Sequence, residues 1–387
     1  MRLIKLIIFI LIISIQSCID PFIPETTRYD NVLFIECLLS NDTTQKQMVK
    51  ISYSVPIMSE SGSTGSNIPV KATGANVQVV RDDQEHYSFP EVEPGHYLAS
   101  DMIPEAGRAY RLIVMYNGNI FESDFENMRA SPPIDSITYK HTLDRLSETG
   151  DVYDGYRFYA STHEEEDGPS YYRWESVGTY LFKIPHEATH IWNGYSQIPA
   201  SNRDVTFCWT TKVINGIYTG DTEGLSQNKI IEAPLHFESQ YGDALSIRYS
   251  LNVKQFAITN NAWTFWSDMV RQVNQNGGMY DTQPFRIQGN IRCITDPELF
   301  VAGIFEVAGY SEARIFLNQP TEFDIIPVVC PMDTIGTEDL PWYQIPTGSF
   351  ITYDGGSGEY FYSSPKCYDC TLKNGTTKKP AFWEDGI

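Results

Sequence analysis

The segment "AYRLIVMYNGNIFESDF", residues 109–125, constrains the fold more than any other stretch of the chain. Asn117-Gly118 supplies the two residues tolerant of positive φ that a type I′ turn needs, and alternating apolar residues flank it on both sides. Pairing Tyr116 with Asn119 sets Val114 opposite Phe121 and Tyr110 opposite Phe125. One face of the hairpin is then apolar along its length, so a second sheet must cover it. Upstream, "NVLFIECLLS" and "QMVKISYSVPI" read as strands on either side of the polar turn "NDTTQ". In "ANVQVV", Ala75, Val77 and Val79 share one face. The expectation for residues 31–128 is an immunoglobulin-like β-sandwich.

"MRASPPIDSI" interrupts this pattern. Pro132-Pro133 suits an extended connection, which makes 129–135 a linker. Residues 136–387 then carry further strand-like runs, among them "YYRWESVGTYLFKI", "LSIRYSLNVKQFAI" and "LFVAGIFEVAGY". With 24 Tyr, 20 Phe and only 20% charged residues, the chain is a folded one rich in strand formers. One segment has a different period. Trp266, Met269, Val270 and Val273 recur at i, i+3, i+4 and i+7, which predicts a helix over 261–275. Asn260 or Asn261 is placed to cap its start and Asn276-Gly277 to close it. Trp263, Phe265 and Trp266 read as core and not as a ligand cage. The fold class is therefore mainly β: a sandwich followed by a larger β-rich domain with one amphipathic helix.

The first residues set the compartment. Arg2 and Lys5 precede an apolar run from Leu6 to Ile15, and Ser17 stands before Cys18. That order is the one of a secretory signal, too short to span a bilayer. A cysteine directly after it is the acylation point of a bacterial lipoprotein, so residues 1–17 read as a signal peptide, Cys18 as the lipidation site and 18–30 as a tether. The chain has 28 Lys and Arg against 49 Asp and Glu. Without Arg2 and Lys5 the balance becomes 26 against 49, a surface that repels nucleic acid and has no polybasic grip on anionic lipid.

Six cysteines remain after Cys18: Cys37, Cys208, Cys293, Cys330, Cys367 and Cys370. An even number in an exported chain permits up to three disulfides. The C-x-x-C at 367–370 lacks the second pair that zinc wants and the βαβ context of redox chemistry, which favours a staple near the C-terminus. The stretch "HEATH" spells the H-E-x-x-H pattern of zinc hydrolases, with His186 and His190 as ligands and Glu187 polarising a bound water. The pattern has meaning only on a helix. Pro185 and Asn193-Gly194 confine it to about eight residues, and "TYLFKI" before it is strand-like, so an exposed loop is the better reading and a zinc hydrolase the alternative. The acidic run "HEEEDG" at 163–168 lacks the ligand spacing of a calcium loop. No cofactor is expected.

The residues "GGMYDTQPFRIQGNI", "VAGIFEVAG" and "CYDCTLKNGTTKKPAFW", with the opening "CIDPFIPE" and "IECLLSND", resemble a Bacteroidota family of exported lipoproteins known only as a domain of unknown function. Gly277, Gly278, Gln283-Pro284 and Gly289-Asn290 carry much of that likeness. The resemblance implies a lipid-anchored, surface-exposed protein of the outer membrane whose partner is a β-barrel such as a TonB-dependent receptor. The expected function is that of a binding or accessory module, with an unnamed ligand. An adhesin or structural subunit of an envelope complex is the other alternative.

Overall fold

The computed structural model describes residues 32–54, 69–99, 101–145, 151–165, 170–200, 204–273 and 286–384. The signal, Cys18, the tether, the Asn276-Gly277 closure, Gly277, Gly278 and Gln283-Pro284 lie outside these residues.

Alternation builds the first sandwich. Leu33, Ile35, Cys37 and Leu39 of strand Leu33–Ser40 are buried, while Glu36 and Leu38 between them face outward. This strand pairs antiparallel with Gln47–Tyr53, which pairs with His96–Ala99. The facing sheet holds the hairpin Ala109–Tyr116 and Asn119–Ser123, flanked by Asn76–Arg81 and Ile291–Cys293. Ile35, Val49, Val79, Leu112 and Phe121 fill the space between the sheets. Each such side chain contributes about 1.5–3 kcal/mol on burial.

The Asn117-Gly118 turn takes positive φ at both positions, 48° and 80°. Tyr116 pairs with Asn119 and Val114 with Phe121, as the sequence predicts. Tyr110, however, stands opposite Glu126 and not Phe125. The Ser123 hydroxyl accepts the Leu112 amide and donates to the Asp124 carbonyl, so a side chain replaces a ladder bond and one extra residue enters the strand. The slip turns Phe125 outward beneath the Arg111 guanidinium, 4.3 Å from the ring centre, and buries Glu126.

Strand Val301–Asn318 belongs to both halves of the molecule. Residues 301–308 run parallel to 33–40, and residues 309–318 run antiparallel to Arg248–Ile258. Tyr171–Lys183 and Phe207–Asp221 continue that sheet. A three-stranded sheet of Ile134–Arg145, Val152–His163 and Lys229–Ser239 encloses a second core with Phe158, Trp174, Tyr249 and Leu251. A smaller five-stranded sheet, which includes His190–Trp192, Phe350–Asp354 and Glu359–Tyr362, closes around Trp192, Ile345 and Ile351. Ile291, Cys293, Val301, Phe305 and Val307 lie in the first core, across the expected boundary at 129–135. Gly289 and Gly303 permit this return, because a Cβ on Gly289 would collide with the Gly303 carbonyl.

The helix, α1, spans Asn260–Val273. Its cap is Thr259 and neither Asn260 nor Asn261: the Thr259 Oγ1 accepts the Ala262 amide at 3.3 Å. The inward face is Ala262 and Phe265, with Trp263, Trp266 and Met269 packed beside them over Phe256, Ile304 and Ala308. Val273 is 72% exposed. Trp266 and Met269 of the expected stripe pack as predicted, whereas Val273, on the same face near the helix end, does not. All three aromatics at 263, 265 and 266 pack against core, as expected.

Candidate functional site

Where the two halves meet, a groove of about 450 Å³ opens over the outer face of strands 33–40 and 47–53. It adjoins an inner recess of about 90 Å³ beside α1, the two sharing Glu36, Cys37, Leu38 and Glu175. Both volumes are at the scale of ligand clefts or their subsites. The outer part carries Lys46 and Lys50 over an apolar floor of Met48 and Leu98.

The inner end is built on one buried ion pair. Arg173, on the 171–183 strand, donates through Nε and Nη2 to Glu306 Oε1 at 3.2 and 2.9 Å, and through Nη1 to Glu175 Oε1 at 2.6 Å. Its guanidinium lies 4.9 Å from the ring centres of both Phe256 and Trp266, a cation between two aromatic faces. The Trp266 indole donates to the second oxygen of Glu306, which is 1% exposed. Burial opposes the charge on Arg173, but the Glu306 and Glu175 carboxylates outweigh it and hold its pKa above the ordinary value. Two neighbouring arrangements brace the junction. Lys254 Nζ meets Asp42 at 2.9 Å. Asn290 binds both backbone groups of Phe305 and donates to Glu126 at 2.8 Å. Burial raises the Glu126 pKa even though Thr259 and Asn290 bond to it.

The sequence-predicted site residues fall elsewhere. Residues 186–189 are irregular and not helical, and they join the 171–183 strand to His190–Trp192. His186 Nε2 donates to the Cys330 carbonyl at 2.8 Å, and its amide donates to Cys367 O. His186 therefore brackets the Cys330–Cys367 disulfide. The Thr352 hydroxyl donates to the Glu187 carbonyl at 2.8 Å. The His190 ring stands edge-on to Tyr353 and Tyr360. The helix on which a zinc reading of His186, Glu187 and His190 depends is not formed. Among the described residues no cluster of three or more His, Cys, Asp or Glu is placed to hold a metal.

Of the six cysteine candidates, four pair. The two residues of the C-x-x-C tie to remote partners, Cys370 to Cys208 and Cys367 to Cys330. Cys37 and Cys293 are free and buried in the first core. Burial, helped by Glu36 and Glu306, pushes the Cys37 thiol far up. In "HEEEDG", His163 Nδ1 lies 2.7 Å from Asp135, and residues 166–168 lie outside the described ones. Sequence reasoning missed the Arg173–Glu306 pair. The readable signal was a single carboxylate inside the apolar run "VAGIFEVAG", since a lone charge in a core strand needs a partner.

No helix of the described residues is long and apolar enough to cross a membrane. The family model described as a domain of unknown function, DUF4249, matches residues 19–314, more than half of the chain. No curated protein matches it significantly.

Proposed function

The chain belongs to the DUF4249 family, and from that premise we propose that it is an exported, lipid-anchored binding module. In this reading it acts at the outer membrane, facing outward, as an accessory to a β-barrel such as a TonB-dependent receptor. The observation that carries the reading is the junction groove, a concave, pre-organised surface held by a buried ion pair on rigid strands. Such a surface suits recognition more than chemistry: the buried Arg173 and Glu306 are spent on each other, and the Cys37 thiol in its lining is buried and pushed far up. The order of Arg2, Lys5, the apolar run, Ser17 and Cys18 supports export and lipidation. Two disulfides support an oxidising compartment. A lipid at Cys18 confines the protein to a membrane plane and raises its effective concentration near a partner without a large interface.

The test is to extract the natively lipidated, tagged protein from its own outer membrane in mild detergent and identify what accompanies it by mass spectrometry. A β-barrel in near-equal amount supports the reading. Recovery of the protein alone, or of a Cys18→Ser variant still in the membrane fraction, overturns it.

A further inference from the structure

We propose that the C-terminal staple is a thiol-triggered release device: when an external dithiol opens the Cys330–Cys367 bridge, Cys367 closes a new disulfide with Cys370 and sets Cys208 free. One reductant thereby undoes both cross-links.

The placement of the four sulfurs carries the argument. Cys367 ends the 3₁₀ turn Pro365–Cys367 and Cys370 begins the next, Cys370–Lys373. Each is nevertheless bonded to a remote segment, Cys367 across 37 residues and Cys370 across 162. Exposure sets the order of events. Cys208 and Cys370 are 0% exposed and Cys367 is 4% exposed, whereas Cys330 is half-buried. A thiolate from solvent therefore meets the Cys330 sulfur first, and the sulfur that leaves is that of Cys367.

One residue holds the C-x-x-C apart. Tyr368 has helical φ and ψ, −113° and −17°, but Asp369 is extended at −141° and 110°. The Asp369 carboxylate accepts the Thr371 amide at 2.9 Å and the Thr371 hydroxyl at 2.5 Å, which caps the second turn and fixes that extension. Rotation of Asp369 into the helical region makes 367–370 a single turn, whose first and fourth Cα atoms lie within about 7 Å, the reach of a disulfide.

The steps balance. A thiolate of the dithiol attacks Cys330 Sγ, the Cys330–Cys367 bond breaks, and its electron pair leaves on Cys367. The second thiol of the reductant resolves the mixed disulfide, giving the oxidised reductant and a Cys330 thiol. Cys367 Sγ then attacks Cys370 Sγ, the Cys208–Cys370 bond breaks, and Cys208 leaves as a thiolate. The two protons of the reductant end on Cys330 and Cys208. The C-terminal segment then meets the 207–221 strand through the Trp209–Thr376 backbone pair and the Trp209–Trp383 ring contact, without a covalent link.

The experiment gives the full chain one equivalent of dithiothreitol, quenches it in acid at intervals, alkylates it in denaturant and maps its disulfides by peptide mass spectrometry. The expected product is Cys367–Cys370 with Cys208 and Cys330 alkylated, beside Cys37 and Cys293, which are free from the start. A Cys330→Ala variant has Cys367 free and is expected to reach the same pairing with no reductant. Asp369→Ala is expected to shorten the lifetime of the form with Cys330 and Cys367 reduced by fivefold or more, and an unchanged lifetime overturns the role given to Asp369. A final product that keeps Cys208–Cys370 while Cys330 and Cys367 are alkylated overturns the proposal, as does full reduction of half the molecules with the other half untouched.

Discussion

The two sandwiches solve the same packing problem with different chemistry. The first core holds two buried thiols, Cys37 and Cys293, and keeps its other polar groups at its edge: the Tyr97 hydroxyl donates to Ala72 O at 2.9 Å, and Ser123, Glu126 and Asn290 are buried beside it and bond to one another or to backbone. The second core threads a polar chain through its middle. His236 Nε2 lies 3.2 Å from the Tyr249 hydroxyl, which lies 3.4 Å from Glu238, and the histidine ring stacks on Phe158. Burial lowers the His236 pKa to about 3 and raises that of Glu238 to about 7. Both disulfides also lie on the second side. The first half thus owes its order to strand pairing across a large sequence separation and to shape, the second to cross-links and buried polar contacts.

The strongest way to break this comparison is to remove the cross-links. Loss of both bridges, by reduction or by Cys208→Ala with Cys330→Ala, is expected to cost on the order of 3–5 kcal/mol, since the longer loop closes 162 residues. Hydrogen exchange should show protection falling in residues 171–258 while 33–53 hold. Equal loss in both regions sinks the distinction. Next in size is Glu306→Ala, which strands a buried guanidinium and should cost about 3–5 kcal/mol in chemical denaturation. Because Glu306 sits on the strand common to both sheets, both halves should lose stability together.

The pH response sharpens the contrast further. A histidine whose pKa falls on folding stabilises above about pH 6.5 and loses that contribution as pH drops toward 3. A glutamate whose pKa rises on folding stabilises below about pH 4.5 and loses that contribution as pH climbs toward 7. Between pH 4.5 and 6.5 the two slopes oppose, so stability should be nearly flat there. Glu238→Gln should unmask the histidine: stability then falls steadily on acidification from pH 6.5, by about 1–3 kcal/mol at pH 4.5. A variant as flat as the parent would mean the two groups do not act as described. The smallest effect concerns the first core. Cys37→Ala should cost about 1 kcal/mol, and Cys37→Ser somewhat more because it buries an unpaired hydroxyl.

What was legible in the sequence was local. Asn117-Gly118 announced its turn because only a few residue types accept positive φ twice in succession, and the apolar alternation of 33–40 announced its inner face. The helix and its inward face were visible by its period, but how far the covered stripe runs was not, because Trp266 and Val273 share one face and differ in burial only through what packs beneath them. The Tyr110 register failed for a single reason: the Ser123 hydroxyl stood in for a backbone acceptor, taking the Leu112 amide. The groove itself could not be read, since Lys50, Leu38, Glu175 and Trp266 come from four separate elements. No turn chemistry marks the parallel pairing of 33–40 with 301–308 that brings three of those elements into register.

That pairing also has a mechanical meaning. Eighteen residues at about 3.3 Å each make the 301–318 strand a bar roughly 60 Å long, gripped near one end by residues 33–40 and along the rest by 248–258. A pull applied at Leu33 and resisted near Asn318 acts along the bar in opposite directions. It loads the eight registered pairs of the first grip in shear, so that they share the force and must yield together and not one after another. Tension entering at the first described strand is thus carried along the 301–318 strand.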